Sequence, residues 1–164
     1  MTNFILDASA LGKRYVDEPG SDLVDRLFDE VGGERLLCIT MGALEPFAIV
    51  IRARNKGTLT AQEASDAEAL LQSELVDGAV EKIHPPASAV FAATALIAEH
   101  KINSTDAVLL LIALGLRDAL AQDGNSLVLV AADRRLLRAA TAESLTTFDP
   151  ENDDLARLQS LAAA

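Results

Sequence analysis

Two short apolar runs, Phe4-Ile5-Leu6 and Leu127-Val128-Leu129-Val130, constrain this chain most, because each is too short for a helix and each delivers an aspartate beyond its end. The first stops at Asp7, and the second passes through Ala131 and Ala132 to Asp133. Unbroken runs of this kind read as strands buried on both faces, as in parallel sheets. Leu36-Leu37-Cys38-Ile39, ending at Thr40, is a third, while Ala79-Val80-Glu81-Lys82-Ile83 and Leu145-Thr146-Thr147-Phe148 are weaker strands with more alternation. Between them lie segments of helical periodicity at 10–17, 22–31, 42–56, 61–76, 87–100, 106–122 and 134–140. This alternation predicts an α/β fold with a short, mostly parallel sheet of four or five strands flanked by about seven helices.

Start and stop signals agree. Thr60-Ala61-Gln62-Glu63 is a capping box. Gly57, Gly78 and Gly124 fall just beyond helix ends, where a left-handed backbone is needed. Glu18-Pro19-Gly20 separates the first helix from the second. Pro46 removes a helical hydrogen bond donor, so its helix either starts near Leu44 or bends. At 164 residues the chain suits one domain over 1–150. The acidic turn Asp149–Asp154 and a short terminal helix complete 151–164, as part of that domain or as an interface.

Half the residues are hydrophobic but only 4% are aromatic, so the core is aliphatic. The net charge of −11 argues against a general nucleic-acid or anionic-membrane binder. Cys38 is the sole cysteine and sits in a strand, which suggests a buried reduced thiol in a cytoplasmic protein. Met1-Thr2-Asn3 has no basic lead of the kind that opens a targeting segment, and the apolar run Ala107–Leu116 is about half the length needed to span a bilayer.

In open α/β sheets, ligands sit outside the carboxyl ends of the strands, and this places Asp7 and Asp133 in one crevice if their strands are neighbours. Asp106 follows Ser104, a candidate N-cap, and lies in the first turn of the apolar helix. Glu45 stands near the start of the helix after Thr40, flanked by Ala43, Leu44, Pro46 and Phe47. Singly, each acid has a plainer role as a cap or a solvated residue. Together, four carboxylates in one cleft repel one another and require a cation. With no histidine near them in sequence, the donor set is all oxygen, which suits Mg²⁺ or Mn²⁺ better than Zn²⁺. Such an ion activates water and stabilises phosphoryl charge, so phosphodiester hydrolysis is the natural reaction class.

The opening Phe4-Ile5-Leu6-Asp7-Ala8-Ser9-Ala10-Leu11, followed by Lys13-Arg14-Tyr15 and Glu18-Pro19-Gly20-Ser21, resembles that of PIN-domain ribonucleases, particularly VapC-type toxins of toxin–antitoxin pairs. Ala43-Leu44-Glu45, Ser104-Thr105-Asp106-Ala107 and Val130-Ala131-Ala132-Asp133-Arg134-Arg135-Leu136 resemble the segments that carry the family's other acids. The resemblance runs in order from Phe4 to about Pro150. It implies a single PIN-like domain and a Mg²⁺- or Mn²⁺-dependent endoribonuclease, with Asp7, Glu45, Asp106 and Asp133 as catalytic and metal-binding acids. It further implies that Ser9 assists by hydrogen bonding, that RNA is the substrate, that an antitoxin is a partner and that the chain forms a homodimer. Ala131 departs from the Thr or Ser that the family often has two residues before the last acid.

Lys13, Arg14, Arg52, Arg54, Lys56, Arg134 and Arg135 are candidates for steering RNA to an otherwise acidic protein. His84 and His100 are assigned to structure, being near no acid or nucleophile at a useful spacing. A haloacid-dehalogenase-type phosphatase would need an acid where Ser9 stands, and a response-regulator receiver would need an early acidic pair and a late lysine after a strand. A catalytically inactive PIN-like RNA- or protein-binding domain is the remaining alternative.

Overall fold

Strand β1 (Thr2–Leu6) is buried along its whole length and forms the centre of the sheet. The structure, a computed structural model, describes residues 1–78 and 80–164. Around β1 are β2 (Leu36–Ile39), β3 (Glu81–Ile83), β4 (Ser126–Val130) and β5 (Thr146–Phe148), in the order β3-β2-β1-β4-β5. All four pairings are parallel. Ala79, the first residue of the weaker strand expected over 79–83, lies outside the described residues.

Side chains alternate across the sheet and give each face its own core. Phe4, Leu6, Cys38, Val128, Val130 and Phe148 point one way. They pack under α2 (Ser21–Glu30), α3 (Glu45–Lys56), α4 (Ala61–Leu71) and α9 (Leu155–Ala163), which contribute Leu27, Val50, Leu71 and Leu158. Ile5, Ile39, Leu127, Leu129 and Ala131 point the other way. They meet α6 (Thr94–His100), α7 (Ser104–Gln122) and α8 (Arg134–Ala142) through Leu96, Leu110 and Leu136. Each such buried aliphatic side chain contributes about 1.5–3 kcal/mol of transfer free energy, so the two layers hold the strand ends in fixed register. Leu158 is fully buried, which sets the terminal helix against the first core.

The expected boundaries move in three places. The first helix, α1 (Ala8–Leu11), starts earlier and ends sooner than 10–17, continuing as a 3₁₀ turn over Gly12–Arg14. The segment 87–100 divides at Ala93 into α5 (Ala87–Ala92) and α6. Beyond Leu71 the helix widens into a π segment, Gln72–Val76, which carries the buried Glu74. There Glu74 accepts from Nε (3.2 Å) and Nη2 (2.8 Å) of Arg14 and from the Tyr15 hydroxyl (3.0 Å). Pro46 causes no bend, because α3 begins at Glu45 and the proline falls in its first turn, where the amide is not needed. Thr60 and Glu63 exchange the two hydrogen bonds of a capping box, at 3.2 and 2.7 Å.

Cys38 is buried and unbridged, and burial pushes its thiol up to about 11. No helix among the described residues is long and apolar enough to cross a membrane.

Candidate active site

Where β1 ends, the amide of Asp7 donates to the carbonyl of Val130 at 2.9 Å, so the chain leaves the sheet beside the end of β4. Asp7 caps α1: its Oδ2 accepts from the Ser9 amide at 2.9 Å and from the Ser9 hydroxyl at 2.5 Å. The same hydroxyl oxygen accepts from the amides of Ala132 (2.9 Å) and Asp133 (3.3 Å). Ser9 thereby ties the end of β1 to the segment after β4.

Asp133 caps α8, and its Oδ1 accepts from the amides of Arg135 (2.7 Å) and Leu136 (3.2 Å). Asp106 stands in the first turn of α7. The cap of that helix is Asn103 and not Ser104: its Oδ1 accepts from the Asp106 amide at 2.9 Å. The sequence carried this signal, since an asparagine three residues before an acid is a strong N-cap pattern, but the adjacent serine competed for the assignment. Glu45, at the start of α3, is exposed.

These four acids and Ser9 line one open depression of about 410 Å³, together with the cap Asn103, Ser104 and Thr105 from α7 and Ile49 from α3. Their environments differ. Asp106 is 6% exposed, and its Oδ2 is buried with no hydrogen-bond partner among the described residues. Desolvation, and then the charges of Asp7 and Asp133, raise its carboxyl to about 6. Desolvation by the cleft wall and the charge of Asp7 also raise Glu45, against the pull of Arg52. Burial acts to raise Asp133 as well, but the amides of Arg135 and Leu136, with the Arg135 guanidinium, outweigh it and hold this carboxyl below its ordinary value.

The donor atoms of the four acids do not all close on one another. The one group among the described residues whose metal-type donors lie within 4.8 Å of each other is Glu99, His100 and Glu143, outside this cleft. His100 is therefore not remote from acids: its Nε2 is 2.7 Å from Glu143 Oε1, a contact across 43 residues that the sequence does not display. His84 bonds through Nδ1 to the Thr40 hydroxyl at 2.8 Å.

Two expected steering cations are absent from the cleft. Lys13 is buried, with Nζ 2.6 Å from Glu151 and 3.5 Å from Glu18. Arg14 pairs with Glu74 and Asp25 and lies 4.8 Å over the ring of Phe28. Arg54 is engaged by Glu68 at 3.5 Å. Arg52 and Lys56 line a neighbouring depression that also holds Asp17, Glu18 and Glu63. Ala131 is fully buried in the helical core, and the amides beyond it are met by Ser9.

The five-stranded parallel sheet, with acids gathered at the carboxyl ends of β1 and β4, defines a single α/β domain of PIN-like fold. Among solved structures, it is similar to PAE2754 from Pyrobaculum aerophilum, at 20% identity over the whole of both chains with a TM-score of 0.62. It is also similar to FitAcB from Neisseria gonorrhoeae, at 17% identity and a TM-score of 0.54 over 92% of this chain and 99% of that one. At these identities the likeness is one of fold. No protein-family model matches the chain, and no curated protein matches it in sequence.

Proposed function

We propose that this chain is an endoribonuclease that hydrolyses RNA phosphodiester bonds with Mg²⁺ or Mn²⁺, and that it serves as the toxin of a type II toxin–antitoxin pair. The observation that carries the reading is Asp106 Oδ2, a buried carboxylate oxygen without a donor, in a cleft shared with Asp7, Glu45 and Asp133. An orphaned anionic oxygen of this kind fits a cation. The all-oxygen donor set of Asp7, Glu45, Asp106 and Asp133 fits a hard divalent one. Such an ion, when bound, lowers the pKa of a water and stabilises the charge that builds on phosphoryl oxygens.

The protein's own groups divide the remaining work. Ser9 fixes the orientation of Asp7, leaving Oδ1 free to face the cleft. Asp133 is held rigid and ionised by two amides. Glu45, exposed on the wall with a raised carboxyl, is the acid suited to accept a proton from the attacking water. The toxin role, an antitoxin partner and a homodimer follow from the sequence resemblance. The charge of −11 suits a partner that covers the cleft with a basic side chain.

Cleavage of small structured RNAs, with Mg²⁺, with Mn²⁺ and in chelator, tests the reading. Asp7→Asn and Asp106→Asn proteins that retain their circular dichroism are expected to lose cleavage. Equal cleavage by either variant, or in chelator, overturns it.

A further inference from the structure

Of the 14 Lys and Arg, six have a carboxylate oxygen within 4.0 Å among the described residues: Lys13, Arg14, Arg54, Arg117, Arg135 and Arg157. Lys101 and Arg138 do not: among the described residues, neither has a carboxylate oxygen within 4.0 Å of its charged nitrogens, and both are exposed. Lys101 ends α6, and Arg138 lies one helical turn beyond Arg135 on α8, so the two arginines share a helix face. Lys101, Arg135 and Arg138 line a depression of about 390 Å³ with Glu99, His100 and Ala139.

Arg135 joins this depression to the acidic cleft, because its guanidinium is 3.5 Å from Asp133 Oδ2 while its side chain lines the basic side. Three cations, of which Arg135 is shared with Asp133, line it with one acid, Glu99; Glu143, engaged by His100, is not among the lining residues. That balance opposes a metal ion at the Glu99, His100 and Glu143 group and favours an anion. The opposite flank has the reverse balance: Arg52 and Lys56 share their depression with three acids, Asp17, Glu18 and Glu63.

We propose that the depression lined by Lys101, Arg135 and Arg138 is the subsite for RNA phosphates on one side of the scissile bond, so that the strand leaves the acidic cleft past Asp133 and not past Ile49. The location of the scissile bond rests on the nuclease reading above; the basic subsite rests on three cations gathered around one lining acid. Lys101 also supplies a clean probe. It occupies the left-handed region at φ 55°, which glycine adopts without strain, so Lys101→Gly removes the charge while relaxing the backbone.

The test is anisotropy of a fluorescein-labelled single-stranded RNA of about 12 nucleotides on the full chain, across a NaCl series. Ca²⁺ replaces Mg²⁺ to neutralise the acids. Lys101→Gly and Arg138→Gln are expected to weaken binding several-fold, each shrinking the slope of log affinity against log salt by about 0.7. Lys101→Gly should melt no lower than wild type. Arg26→Gln, the same charge change on the exposed face of α2, serves as control and should do neither. Equal effects from all three variants, no effect from the first two, a larger effect from Arg52→Gln, or no RNA binding by wild type would each overturn the subsite. Absence of metal-dependent cleavage with the expected ordering of affinities removes the nuclease reading and keeps the basic surface. Cleavage by a protein whose Lys101 and Arg138 variants bind normally does the converse.

Discussion

The hydroxyl of Ser9 donates to Oδ2 of Asp7 across 2.5 Å while its oxygen receives the amides of Ala132 and Asp133. One side chain thus sets the distance between the two strand ends that carry acids. Ser9→Ala leaves those amides short of a partner, which costs about 1–2 kcal/mol of stability, and frees the Asp7 carboxylate to rotate. Mg²⁺ affinity and cleavage are expected to fall roughly 10- to 100-fold. Calorimetry combined with a Mg²⁺ titration reads both, and a stability loss with unchanged Mg²⁺ affinity would reduce Ser9 to a structural clip.

Asp106 gives the metal-free protein a pH dependence of definite sign. Its native value of about 6 exceeds the ordinary 3.8, so the folded state holds more protons than the unfolded state between these limits. The stability contributed by this group is therefore present below about pH 4 and lost as the pH rises through 6. In chelator at pH 7, Asp106→Asn should be more stable than wild type, by up to about 3 kcal/mol. The gap should vanish toward pH 4 and close again when Mg²⁺ is added. Asp7→Asn should show no such gain, because Asp7 Oδ2 already has two donors. Thermal melts over that pH range decide it, and a clear loss of stability in Asp106→Asn would assign the acid to structure.

Glu74 is expected to matter for folding and not for cleavage. It is the shared acceptor of Arg14 and Tyr15, and Glu74→Ala leaves a largely buried guanidinium with Asp25 alone. Denaturant titration should show a loss of about 3 kcal/mol, with cleavage per folded molecule unchanged.

Gly20 is fixed by two independent features. Its φ of +87° favours glycine, and a Cβ there would meet the carbonyl oxygen of Pro150 at 2.4 Å. Gly20→Ala should lower stability by about 2 kcal/mol or more. It should also loosen the turn that presents Glu151 to Lys13, which limited proteolysis after Pro150 would detect.

The strands and the acids beyond them were legible because short apolar runs that lead to aspartate have few other uses, whereas the adjacency of β1 and β4 was a condition of that reading that the parallel register meets. Other features depended on long-range partners. Nothing in Lys13 or Arg14 announces that distant Glu151 and Glu74 will withdraw them from the cleft, and His100 meets Glu143 only once α6 and α8 pack on the same face. The helix boundaries at Leu11 and Ala93 shifted for the same reason, since tertiary packing decides where a weakly capped helix stops.

The pairing of β1 with β4 has a consequence during synthesis. Because the second strand of this pair emerges from the ribosome long after the first, Asp7 and Ser9 wait beside an open sheet edge until residues past Asp133 are translated. A truncated or still-tethered polypeptide that has not reached Asp133 carries only part of the pocket, so under the proposed function cleavage waits until that segment has been made.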